Sequence, residues 1–417
     1  MRLDKSLGLL TKAEQLIPCQ TQTFSKGPDY FPKGAYPVYL QRGQRGQVWD
    51  VDGNRYVEFI CGLGAVTLGY NYPAVNEAIM RQLQDGIIFS LPHPLEVRLA
   101  ELLTEIIPCA ESVRFSKTGS EVTSAAIKAA RAYTGNYGIA HWGYHGWHDW
   151  YSIVSDRPKG IPPIYKNFIH TFEYNNIESL ERIFFLNNGV TRKIAAVIME
   201  PVTFTPPKDN FLQDVKDLTH KNGAVLIFDE MATGFRMALG GAQEYFRVTP
   251  DLATFGKGIA NGMPISAVVG KREIMEMFEE RNEVFFSTTF GGECLSLAAA
   301  IATIEEMRQK DVISYIWNLG RKLMREVNRI SGLKAVGYPC RPMIVMENET
   351  PESKSLLMAE LAKRGILIHS GALNLCYSHT DDDIDRLIWA LTVSMREIKE
   401  GKVRLEGQVA KMSFRRL

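Results

Sequence analysis

The stretch Leu226–Met275, LIFDEMATGFRMALGGAQEYFRVTPDLATFGKGIANGMPISAVVGKREIM, decides the fold. Its first three residues close an apolar run, Ala224–Phe228, that ends in Asp229. A short apolar run without alternation reads as a strand covered on both faces, as in a parallel sheet flanked by helices. An acid at the end of such a strand is costly to bury without a cationic partner. Asp229 is therefore either half of a structural salt bridge or a carboxylate that keeps a cofactor's heterocyclic nitrogen protonated. Further on, Lys257 stands between Gly256 and Gly258, just past a strand-like stretch. Most lysines are solvated surface groups. In a confined, partly apolar site the ammonium pKa falls, and the neutral amine can form a Schiff base with an aldehyde.

Upstream, Ile194–Met199 (IAAVIM) is a second buried strand, again ending in an acid, Glu200. The short strand Val113–Phe115 enters the turn Lys117-Thr118-Gly119-Ser120-Glu121, and a helix is expected over Glu121–Tyr133. Backbone N–H groups, a hydroxyl and a helix N-terminus together make a phosphate site in physical terms. The plain alternative is that Ser120 only caps the helix. His141–His148 (HWGYHGWH) supplies aromatics that can stack on a planar ring or simply pack together. The His145/His148 spacing permits a metal pair, but no carboxylate or cysteine set at ligand spacing accompanies it, so no metal is expected. QVWDVDGNRYVEFI reads as a hairpin turning at Asp52-Gly53 in a type I′ turn. Helices are expected over Pro73–Gln84, Leu95–Ile107 and Val312–Ile330. The alternation of strand and helix gives an α/β chain. A large domain over 59–310 carries a mostly parallel sheet, and a small α+β domain is built from both ends, 1–58 and 311–417.

Composition removes several classes of function. Of 417 residues, 48 are Lys or Arg and 47 Asp or Glu, so there is no excess of cations to bind nucleic acid by bulk electrostatics. A 45% hydrophobic content with little net charge excludes disorder. No apolar run approaches the roughly 18–20 residues of a membrane span. The N-terminus lacks a signal-peptide core. Six cysteines without a CxxC pair fit a reducing, cytoplasmic setting.

The order and spacing of these motifs resemble the class III aminotransferases, pyridoxal-phosphate (PLP) enzymes of fold type I, and within them the glutamate-1-semialdehyde 2,1-aminomutase branch. The most specific stretch is Leu226–Met275, and the resemblance runs from about Ala13 to Leu391. It implies that Lys257 is the Schiff-base lysine and that Asp229 pairs with the pyridine nitrogen. It implies that Tyr144 stacks on the ring and that Gly119 and Ser120 hold the phosphate. Met231 and Ala232 would pack behind the ring, and Glu200 would stand at the site edge. Thr289 would reach the phosphate of a neighbouring subunit in a homodimer with shared sites. An intact Asp229–Lys257 pair argues against a non-catalytic binding protein on the same scaffold.

Three departures separate the chain from the aminomutases. The stretch from Gly146 to Glu173 is shorter than their lid, and Thr21–Pro28 carries no arginine to hold a substrate carboxylate. Gly291-Gly292-Glu293-Cys294 replaces their SGNP-type segment. These favour transfer between an amino donor and a separate aldehyde or ketone acceptor over an internal 2,1-shift. Phe24, Asp29, Tyr30 and Phe31 would suit a hydroxylated acceptor such as an oxidised sugar or aminoglycoside, or would serve only for packing.

Overall fold

The two apolar runs are buried at every position. The computed structural model describes residues 1–187, 189 and 193–411. Along the chain come β1 (Leu40–Gln44), β2 (Gln47–Asp50) and β3 (Arg55–Glu58). Then follow β4 (Ser112–Ser116), β5 (Gly138–Trp142), β6 (Ile169–Thr171), β7 (Ile194–Met199), β8 (Val225–Asp229), β9 (Leu252–Phe255) and β10 (Ser266–Gly270). Last are β11 (Leu333–Tyr338), β12 (Arg341–Met346) and β13 (Ile366–Leu367).

Strands β4 to β10 form one seven-stranded sheet in the order β4-β10-β9-β8-β7-β5-β6. All its neighbours pair in parallel except β10, which runs antiparallel to both β4 and β9. The C-terminal ends of β4, β5, β7, β8 and β9 therefore share one edge, where open α/β sheets place their ligands. The helix Gly119–Thr134 packs across β7 to β10. Its Ala125, Ala126, Ala129 and Ala130 are almost fully buried, and their small side chains let the helix lie close to the sheet. Ile139, Ile198, Ile227 and Val268 fill the layer between. Burying each contributes about 1.5–3 kcal/mol relative to leaving it exposed.

Two compact units divide the chain: 73–313, which contains the large sheet, and 1–72 with 314–417. The sequence reading placed the boundaries at 58/59 and 310/311. Residues 59–72 group with the terminal unit because they hydrogen-bond to its C-terminal part. Asn374 N–H donates to Phe59 O, Tyr377 N–H to Thr67 O, and the Ser378 hydroxyl to Leu68 O. In this unit β1, β2, β3 and β13 form a four-stranded sheet, and β11 pairs with β12.

The hairpin is present, with β2 and β3 antiparallel, but its turn differs from the expected type I′. Four residues, 51–54, link the strands, and within Asp52-Gly53 only the glycine has positive φ, at 90°. Asp50 prevents the tighter turn, since its carboxylate accepts the N–H groups of both Asp52 and Asn54. Among the described residues no helix is long and apolar enough to cross a membrane.

Candidate active site

Asp229 closes β8, and its partner across the parallel ladder is Thr254 of β9. Three residues past Thr254, Lys257 opens a single 3₁₀ turn with φ of 44°, an uncommon left-handed backbone for a non-glycine residue. Both residues thus leave the same edge of neighbouring strands. Asp229 is 2% exposed. Its Oδ1 accepts Met231 N–H at 3.1 Å and the Thr254 hydroxyl at 3.3 Å. Its Oδ2 lies 2.8 Å from His145 Nδ1, and His145 Nε2 lies 3.0 Å from Trp142 O. The buried acid therefore has a partner from the YHG segment. The sequence contained that signal, an acid in need of a cation and a histidine in a motif already singled out, but spacing alone did not join them.

Behind this pair sits His141, on β5. Burial first, then the neighbouring His145 and His170, push its pKa down to about 3, so it is a neutral ring. His148 does not join His145 in a metal pair: its Nδ1 is 2.7 Å from the Ser124 hydroxyl. The other aromatics of the segment are mostly packing groups. Trp142 stacks on Tyr174, and Tyr151 meets His141, Tyr144 and His145 edge-on. Tyr144 is half-buried. Its N–H donates to Glu200 Oε1 at 2.8 Å, so Glu200, itself buried, holds the turn that presents Tyr144.

The helix after β4 starts at Gly119, two residues earlier than expected, and its N-cap is Thr118. Ser120 therefore lies inside the first turn and is not the cap. Its hydroxyl accepts Trp147 N–H at 3.2 Å. Glu121 organises the turn, accepting from the Lys117 and Thr118 N–H groups and the Ser116 and Thr118 hydroxyls. Burial would raise its pKa, but these bonds hold the carboxyl below the usual 4.5. A lowered folded-state pKa stabilises the protein above about pH 4.5, and the contribution is lost as pH falls through the folded value. Glu121→Gln is expected to cost about 1 kcal/mol at pH 7. The gap from the parent should close below pH 4.5 in denaturation midpoints taken across a pH series.

Close packing joins the pieces. A Cβ on Gly146, where φ is 100°, would lie 2.2 Å from Ser120 Oγ. Met231 is wedged between Gly119 and Gly256: a Cβ on either would come within 3 Å of its Sδ. Ala232 follows at the same strand end, half-buried. Thr289 is exposed. Glu293, in the segment that departs from the aminomutase pattern, caps the helix Cys294–Gln309 through Leu295 and Ser296 N–H. It also pairs with Lys117 at 2.9 Å, tying that helix to the Thr118–Ser120 turn.

The family model described as aminotransferase class-III matches residues 30–405. The chain belongs to the class III aminotransferases. As such it is a PLP-dependent enzyme. It is 36% identical over 419 residues to a 3-aminobutyryl-CoA aminotransferase of Cloacimonas acidaminovorans (strain Evry), covering 96% of this chain and 99% of the relative. It is 34% identical over 421 residues to a glutamate-1-semialdehyde 2,1-aminomutase of Acetivibrio thermocellus, covering 93% and 97%. The FumI protein of Sphingopyxis sp. MTA144, solved with PLP, superposes with a TM-score of 0.89 at 25% identity, covering 98% of this chain and 99% of that one.

The site of this aminotransferase fits the cofactor. A helix N-terminus with a glycine and a hydroxyl suits a phosphate, and the glycines keep the cradle open where a Cβ would close it. A buried carboxylate anchored from two sides suits a protonated ring nitrogen, and a lysine stands on the adjacent strand end. Gly146→Ala forces the Ser120 hydroxyl aside at a left-handed position. It should weaken PLP binding by about 1–3 kcal/mol, read as the PLP needed to reconstitute the apoprotein.

Proposed function

We propose that the enzyme moves an amino group from an amino-acid donor to a separate aldehyde or ketone acceptor. The observation that carries this is the common strand edge that brings together Asp229, Lys257 and the Thr118–Ser120 turn. PLP, when bound, supplies an aldehyde that takes up the amino group and a ring that accepts the electrons left at carbon. Lys257 would hold that aldehyde at rest through its amine. With PLP and the donor bound, the Lys257 amine would be the base that takes a proton from the amino-bearing carbon and the acid that gives it back. Asp229 would keep the pyridine nitrogen protonated, and His145 keeps its carboxylate oriented. Tyr144 would stack on the ring, with Met231 and Ala232 packed behind it. Gly119 and Ser120 hold the phosphate, and Glu200 holds Tyr144 in place.

Thr289 completes the neighbouring subunit's phosphate site in a homodimer. Exposed Thr289, Phe285 and Phe290 on one segment support that reading, and sedimentation should give twice 46.9 kDa. A cytoplasmic location accords with the thiol content.

An acceptor such as an oxidised sugar or aminoglycoside rests on Phe24, Asp29, Tyr30 and Phe31, and the fold uses most of these itself. Tyr30 is buried, Asp29 pairs with Lys411, and Phe31 stacks on Tyr36 and meets His369 edge-on. The relative named for 3-aminobutyryl-CoA adds a β-keto acyl thioester to the acceptors to be tried. The test is a survey in two halves. First, single amino acids are added and conversion of the cofactor to its amine form is followed by absorbance. Then sugar aldehydes, oxidised aminoglycosides, β-keto acyl thioesters and glutamate-1-semialdehyde are offered to the aminated enzyme. Net amino transfer from donor to acceptor is expected. Isomerisation of the semialdehyde without any donor would instead establish the aminomutase reading.

A further inference from the structure

In the terminal unit, Cys61 and Cys376 lie together with His379, each with its sulfur or a ring nitrogen within 4.8 Å of the others. All three are buried, at 0%, 1% and 0% exposure. The imidazole is held from several directions. Its Nδ1 accepts Cys376 N–H at 3.1 Å, and its Nε2 lies 3.0 Å from Glu58 O. Phe59 stacks on the ring, and a Cβ on Gly46 would come 2.5 Å from its Cδ2. Both nitrogens are thus committed to the backbone and the ring has no room to turn, which leaves two sulfurs and argues against a metal site. Cys61 is held with φ of 49° at the start of a left-handed run, where Glu58 accepts the N–H groups of Ile60 and Cys61. That backbone places its sulfur 3.1 Å from Asn374 O, beside Cys376. Burial would raise the Cys376 thiol, but hydrogen bonding from Cys61, then the neighbouring His379, hold it well below its ordinary value.

We propose that Cys61 and Cys376 are a reversible oxidation site that joins the two segments by a disulfide when a peroxide reaches it. The Cys376 sulfur attacks hydrogen peroxide: an S–O bond forms, the O–O bond breaks, and the leaving hydroxide takes the proton that the Cys376 thiol gives up to become water. Cys376 is then a sulfenic acid, oxidised by two electrons. The Cys61 sulfur displaces its hydroxyl: the S–S bond forms, the S–O bond breaks, and the hydroxyl leaves with the Cys61 proton as a second water. Because both sulfurs are buried, reaction waits on local opening of the unit and is slower than oxidation of the exposed Cys19.

The test treats the full-length holoenzyme with graded hydrogen peroxide, then alkylates it under unfolding conditions and maps peptides without reduction. The expected result is a Cys61–Cys376 linked pair, a fall from five alkylatable thiols to three in a Cys19→Ser background, and recovery with dithiothreitol. In Cys61→Ala, a dimedone adduct should accumulate on Cys376. Both thiols remaining fully alkylatable after prolonged peroxide exposure, long past complete oxidation of Cys19 in the parent, would overturn the proposal, as would about one tightly held zinc per chain that protects them. The parent map decides the matter alone if the variant does not fold.

Discussion

Lys257→Ala is expected to abolish the visible absorbance of lysine-bound cofactor and to lower turnover by at least about 10³-fold. Two separate losses combine. Without the amine there is no resting Schiff base, and no group remains on that strand end to move the proton at the amino-bearing carbon. The side chain is held in a left-handed turn between two glycines, one packed against Met231. Alanine has a milder preference against that backbone than bulkier residues, so the fold should survive. PLP should still bind through the phosphate cradle, with the spectrum of free aldehyde. A variant with normal turnover and an unaltered spectrum would remove Lys257 from the chemistry.

Asp229→Asn should reduce turnover by about 10²–10⁴-fold. The amide keeps the size and can still accept Met231 N–H, but it brings no negative charge to a ring nitrogen. It also leaves His145 Nδ1 facing a neutral group in a buried setting. Breaking a buried pair of this kind costs about 3–5 kcal/mol. A lower unfolding midpoint should therefore accompany the catalytic loss. Measuring the first half-reaction and the denaturation curve on one preparation separates the two. Normal carbon–hydrogen bond cleavage in the variant would show that the carboxylate serves structure alone.

The legible features were those written in local chemistry. Continuous apolar runs without alternation announced β7 and β8, and their terminal acids pointed to one edge of the sheet. The glycines around Lys257 and the Gly-Ser turn after β4 stood out because a confined lysine and an anion cradle would demand such residues. Local patterns misled where a side chain overrode the backbone's default. Asp50 captured two N–H groups and widened the hairpin turn, and Thr118 with Glu121 moved the helix start ahead of Ser120. The aromatic N-terminal segment carried no signal to separate a substrate wall from packing, since both ask for the same residues.

By itself the sequence determined the α/β class and, through its family resemblance, the cofactor, and it offered Asp229 and Lys257 as the acid and the lysine, because each rests on residue type and order along the chain. Tertiary structure alone decided which histidine answers the buried acid, which carboxylate ties the Thr118–Ser120 turn to the helix Cys294–Gln309, and where residues 59–72 belong. Those pairings join groups 84, 176 and more than 300 positions apart. Only folding, by bringing strand ends and loops to one edge, lets such groups satisfy charges and hydrogen bonds that water would otherwise have met.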